Sequence, residues 1–148
     1  MAKGQPKVAK HRTTLASDRP AKQPHSKDAQ PTNYLSWRFG GIDKDGPFAW
    51  TSLDDPAEYK DVMERLHCFE GMDQKQLQMS GSHPIAISSL SREAQRRLEH
   101  IQQDDVDELM SFRITGPKRV FCIRERNVMR VLWYDAAHGV CPSKLKGT

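Results

Sequence analysis

Three strand-like runs near the C-terminus leave this chain few folds to choose from. SFRIT (111–115), RVFCIR (119–124) and VMRVLWYD (128–135) are rich in β-branched and aromatic residues. Gly116-Pro117 divides the first two and Glu125-Arg126-Asn127 the second pair. Such breaks are too short for a crossover, so consecutive runs must reverse and pair as an antiparallel meander. GVCP (139–142) is placed to pair as a fourth strand. In the second run Arg119, Phe121 and Ile123 share one face, and Val120, Cys122 and Arg124 the other. In the third, Val128, Arg130, Leu132 and Tyr134 alternate against Met129, Val131, Trp133 and Asp135. Both faces are apolar enough to require cover.

Helices to provide it lie upstream. In DDPAEYKDVMERLHCFEGM, Asp55 suits an N-cap, Pro56 the first helical position and Glu58 the third. Tyr59, Val62, Met63, Leu66 and Phe69 follow at helical spacing, and Gly71 ends the segment. MDQKQLQM predicts a short helix capped by Asp73. Residues 85–110 begin extended and turn helical near Ser91, with Leu90, Ala94, Leu98 and Ile101 as the apolar stripe. Further upstream, YLSWRF and PFAWTSL flank the turn-rich GGIDKDG, which predicts an N-terminal β-hairpin. The fold class is therefore α+β, a twisted antiparallel sheet of three to four C-terminal strands packed against helices. One domain is expected over residues 31–148. Its first part, 31–84, holds the aromatic hairpin and helices, and 85–148 holds a helix and the sheet.

Composition separates that domain from residues 1–30, which contain no aromatic residue and only Val8 and Leu15 as large aliphatics. So little apolar surface does not offset ordering entropy, and a disordered basic tail is expected there. No run reaches the ~18–20 apolar residues that span a bilayer, and no signal-peptide pattern is present. A cytoplasmic protein with no membrane partner is expected. The odd cysteine count (Cys68, Cys122 and Cys141, none in a CxxC pair) fits free thiols. Charge is segregated, with a net of +5 over residues 1–30, −7 over 31–110 and +6 over 111–148. Composition leaves two readings open: the basic end binds polyanions, or it neutralises the acidic helices.

The order LSREAQRRLEHI, FRI, KRVFCIR and VMRVLWYDAAHGVCP resembles the C-terminal half of the RelE/ParE superfamily over about residues 85–143. The same string is similar to an uncharacterised bacterial and phage protein group with a tryptophan–x–aspartate–x–x–histidine ending. RelE/ParE proteins are small bacterial toxins in which helices pack on a twisted antiparallel sheet. Their ribonuclease branch cleaves messenger RNA at the ribosome with basic side chains and no metal. The resemblance implies RNA or the ribosome as partner, together with a small antitoxin protein. Arg119 opens the second strand, where the ribonucleases place an arginine against the scissile phosphate. Arg113 sits in the preceding strand, where they carry lysine or arginine. His138 follows the third strand, in a loop that often supplies another basic group. Cys141 departs from the family, whose RelE-type members tend to have a base-stacking tyrosine there.

The residue types suit that chemistry in their own right. Cleaving RNA without a metal requires a deprotonated 2′-hydroxyl, a neutralised phosphorane and a protonated 5′-oxygen. Arginine's fork of donors matches phosphate oxygens, and histidine exchanges protons near neutrality. Arg119, His138 and Arg113 are thus the catalytic candidates, and Arg124, Lys118, Arg126, Arg130 and Lys144 the RNA-binding ones. Because Arg119 and Arg124 fall on opposite faces, not all of them line one site. Competing readings are bland: Trp133 as core, Asp135 as a turn cap and Cys141 as a small buried residue. His138-x-x-Cys141 has metal-ligand spacing, with His67-Cys68 or His83 as completing groups, but a structural zinc site shows two such half-motifs. No metal and no cofactor are expected. A Cys–His hydrolase lacks the strand–turn–helix setting its nucleophile needs.

Overall fold

A computed structural model describes residues 34–142. The basic segment 1–30 and Lys144 lie outside the described residues. Five strands form one mixed sheet: β1 (Ser36–Arg38), β2 (His83–Ala86), β3 (Glu108–Thr115), β4 (Lys118–Glu125) and β5 (Val128–Asp135). Their spatial order is β1-β5-β4-β3-β2. The meander β3-β4-β5 forms as its short breaks require, and β2 extends it antiparallel to β3. Three α-helices join the sheet: α1 (Pro56–Glu70), α2 (Gln74–Met79) and α3 (Arg92–His100). The class is α+β. Among the described residues no helix is long and apolar enough to cross a membrane.

Local chemistry sets the helix boundaries. The Asp55 carboxylate accepts from Glu58 N at 2.9 Å, with Pro56 at the first position, where its missing N–H costs nothing. Asp73 and Gln76 exchange hydrogen bonds as a capping box. Ser91 Oγ accepts from Ala94 N at 3.1 Å to open α3. Of the apolar stripe on α1, Val62, Leu66 and Phe69 are buried, whereas Tyr59 and Met63 remain exposed.

Each face of the sheet carries its own core. On one side Val62, Leu66 and Phe69 of α1 and Leu77 of α2 pack against Phe112, Val120, Cys122, Val131 and Tyr134. On the other, Ala94 and Leu98 of α3, with Phe48 and Val140, cover Leu109, Phe121, Ile123, Leu132 and Trp133. The sheet is therefore a buried middle layer, which explains why its strands read as nearly continuous apolar runs.

Three expectations are corrected. The N-terminal β-hairpin does not form: β1 instead runs parallel to β5, pairing Trp37 with Met129, and Trp50–Ser52 is a 3₁₀ turn. This makes the sheet mixed rather than wholly antiparallel. The GGIDKDG turn folds inward because Asp43 is buried, its N–H bonding Leu132 O at 3.0 Å. Phe48 then reaches one core and Trp50 the other, which flanking strands of a hairpin would not allow. GVCP adds no fourth strand to the meander; it forms bends whose Val140 fills the α3-side core.

The third correction concerns β5. Phe121 pairs with Trp133 but Cys122 with Val131, so Leu132 is the extra residue of a β-bulge. Leu132 and Trp133 consequently share the α3 side, while Tyr134 joins Met129 and Val131 on the other. Simple alternation would have put Trp133 with Met129. The bulge also turns Asp135, and the loop that follows it, toward the α3 side.

Candidate functional site

That reorientation decides which groups meet. β3 and β4 pair Arg113 with Arg119, and β4 and β5 pair Arg119 with Asp135. Residues directly opposite in a ladder share a face, so these three side chains form a polar row on the α3 side. One row inward, His83 of β2 pairs with Ser111 of β3, which pairs with Phe121. Together with the loop after β5 they enclose a cleft of about 210 Å³ lined by His83, Ser111, Arg119, Phe121, His138 and Cys141. It is smaller than the ~300–1,000 Å³ of whole-ligand pockets, a size suited to one polar group of a larger molecule.

The loop carrying His138 is fixed at both ends. The buried Asp135 carboxylate accepts from the backbone N–H of Ala137, Gly139 and Val140 at 3.3, 3.0 and 2.8 Å, so Asp135 does cap the turn. Val140 O accepts from Ser91 N at 2.8 Å, tying the loop to the start of α3. Gly139 has no room for a side chain: a Cβ there would lie 2.9 Å from Phe48 Cε1. His138 sits at the tip with φ 62°, a left-handed conformation uncommon for a residue with a side chain.

The two arginines face each other as like charges. Arg119 Nη1 donates to Gly116 O at 2.6 Å and Lys118 O at 3.0 Å. Burial and then the nearby Arg113 guanidinium pull the Arg119 pKa below the usual arginine range, with Asp135 opposing them. Among the described residues neither arginine forms an ion pair, and Asp135 is already committed to loop amides. Of the two, Arg119 lines the cleft, whereas the Arg113 side chain lies against Gly81 outside that lining. Cys141 supplies no nucleophile: its Sγ lies 3.5 Å from Ser89 O, and burial, then Asp135, push its thiol pKa up.

The RNA-binding candidates are scattered. Lys118 Nζ pairs with Glu58 Oε2 of α1 at 2.8 Å, so the basic end of the chain does meet the acidic helices at this point. The pair lowers the Glu58 pKa and raises that of Lys118. Arg130 pairs with Glu125 at 3.0 Å, and Arg124 Nε donates to Arg126 O at 2.9 Å. Arg124 and Arg126 line a separate groove with Asp105, Asp107 and Glu108, at the other end of β4 from Arg119. Among the described residues no group of three or more His, Cys, Asp or Glu side chains is placed to hold a metal.

Two features escape a sequence reading. The sequence offers His83 only as a completing group for a metal site, and strand pairing brings it to Ser111. Asp43 appears as one more turn aspartate. In the fold its carboxylate receives Arg97 Nε and Nη2 at 2.9 and 2.7 Å and the Trp133 indole N–H at 2.8 Å, tying α3 and β5 to the loop before α1. No protein-family model matches the chain, nor does any curated protein or solved structure at a significant level.

Proposed function

We propose that the protein binds RNA through the cleft between β2, β4 and the loop after β5, and cleaves messenger RNA at the ribosome as RelE/ParE-like toxins do. The observation that carries this reading is the pair Arg113–Arg119, two like charges directly opposite each other that form no ion pair among the described residues, with Arg119 lining a cleft that also holds His138. Like charges at directly opposed positions destabilise a sheet, and a phosphate relieves that repulsion while matching guanidinium geometry. In the reaction the 2′-oxygen attacks phosphorus and the P–O5′ bond breaks. Arg119 and Arg113 neutralise the phosphorane, and His138 moves one of the protons. A small antitoxin protein would then be the second partner.

The test is expression of wild type and Arg119→Ala in a bacterium, with transcript mapping, beside RNA binding by purified protein at 50 and 200 mM salt. Wild type is expected to arrest growth and cut transcripts. Arg119→Ala is expected to do neither, and to lower the salt dependence of binding by about one phosphate contact. Equal growth, intact transcripts and equal binding by both proteins would refute the reading.

A second reading, a non-catalytic protein-interaction module, is favoured by a different observation. Lys118 and Arg130 are bound in ion pairs and Arg124 and Arg126 face carboxylates, while α1 exposes Tyr59 and Met63. A stable protein complex lost on Tyr59→Ala/Met63→Ala, together with intact RNA in the presence of ribosomes, would select it.

A further inference from the structure

We infer that His83 is a second catalytic histidine, acting as the general base that takes the 2′-hydroxyl proton while His138 is the general acid that protonates the 5′-oxygen. The inference rests on the ribonuclease reading above and gives its two proton transfers to separate side chains. His83 and His138 lie 55 positions apart in the sequence, yet both line the cleft of about 210 Å³ that holds Arg119. A phosphodiester bound there would border both residues.

The two histidines are held differently. His83 Nδ1 lies 3.1 Å from Pro84 O. A carbonyl oxygen only accepts, so Nδ1 carries the hydrogen and the neutral ring keeps its lone pair on Nε2. A proton-accepting nitrogen is what a general base needs. His83 enters from β2, at the sheet edge, and His138 from the loop after β5, so two separate elements bring them to the cleft lining. In-line displacement requires the attacking and leaving oxygens on opposite sides of phosphorus, so the proton acceptor and the proton donor are separate groups, as two histidines from different elements are. As the P–O2′ bond forms, the 2′-proton passes to His83 Nε2. As the P–O5′ bond breaks, a proton from His138 goes to the leaving oxygen. The products are a 2′,3′-cyclic phosphate and a free 5′-hydroxyl, with no other reactant consumed.

A bridging-sulfur substrate separates the two roles, because a thiolate leaves without being protonated. The probe is ribosome-bound messenger RNA carrying one 5′-bridging sulfur at the cleavage position mapped with wild type, beside the all-oxygen RNA. With oxygen RNA, His83→Ala and His138→Ala are each expected to cleave at least ~100-fold more slowly than wild type, with RNA affinity changed less than about threefold. With sulfur RNA, His138→Ala is expected to return to within about tenfold of wild type and His83→Ala to stay slow. Circular dichroism and melting of both variants check that they fold; His83 is exposed on an edge strand, so its truncation leaves the core intact. A His83→Ala rate equal to wild type, or rescue of His83→Ala by sulfur, overturns the assignment and leaves the ribonuclease reading standing. Absence of cleavage by wild type overturns both.

Discussion

Replacing Asp43 by alanine removes the acceptor that joins three parts of the fold. Asp43 is 6% exposed and receives two hydrogen bonds from Arg97 and one from the buried Trp133 indole. The change leaves the indole N–H without an acceptor, at about 1–3 kcal/mol, and strands a guanidinium whose side chain is only 16% exposed. Breaking one partner of a buried pair costs about 3–5 kcal/mol in total, a figure that includes such unpaired groups. For a domain of this size that is a fall in Tm of roughly 12–20 °C at about 4 °C per kcal/mol, measured by thermal and urea melts of the purified protein. Glu125→Ala, which breaks the exposed Arg130 pair, is expected to cost under about 1 kcal/mol. Asp43→Ala/Arg97→Met should recover part of the loss, because no buried charge remains alone. The pH dependence follows from the same contacts. Burial alone would raise the Asp43 pKa, but hydrogen bonds from Arg97, Trp133 and Asp45 N–H together hold it below the ordinary 3.8. A depressed folded pKa contributes stability that is present above the unfolded value and is lost as pH falls through the folded one. The gap between wild type and Asp43→Asn should thus be constant near neutrality and narrow below about pH 4. A loss under ~1 kcal/mol for Asp43→Ala, or a gap unchanged in acid, would refute the account.

Other expectations are smaller. Ser91→Ala removes the cap of α3 and should cost about 1 kcal/mol in a urea melt. His138→Val should lower stability by about 1 kcal/mol, because a β-branched residue resists the left-handed conformation, while His138→Gly should not lower it; equal effects of the two would argue against the strained loop. Thiol alkylation followed by mass spectrometry at pH 8 should modify the exposed Cys68 first and Cys141 more slowly. Cys122, whose burial raises its thiol pKa well above the usual range, should react only on unfolding.

The site was legible in its pieces and not in its assembly. Arg113, Arg119 and His138 stand out as residues that suit phosphate chemistry, and strand order alone puts the two arginines on adjacent strands. That His138 reaches the Arg119 side depends on the bulge at Leu132, which no alternation rule signals because both registers leave apolar residues on both faces. His83 enters by pairing with a residue 28 positions later. By sequence Lys118 is free to meet RNA, but the fold sets Glu58 Oε2 2.8 Å from its Nζ.

What the sequence by itself determined is what local forces set. The caps at Asp55, Asp73 and Ser91, the helical stripe of Val62, Leu66 and Phe69, and the short breaks of the meander each act within a few residues. They specify α1, α2, α3 and the β3-β4-β5 order without reference to the rest of the chain. The tertiary structure decided where the 34–53 segment goes. An isolated reading pairs YLSWRF with PFAWTSL, because both are aromatic and a turn lies between them. The fold instead pairs β1 with β5 and turns Asp43 inward, since burying Phe48 and Trp50 in two different cores and matching Asp43 to Arg97 and Trp133 outweighs a local hairpin. Those partners lie 54 and 90 positions away, beyond the reach of any local pattern.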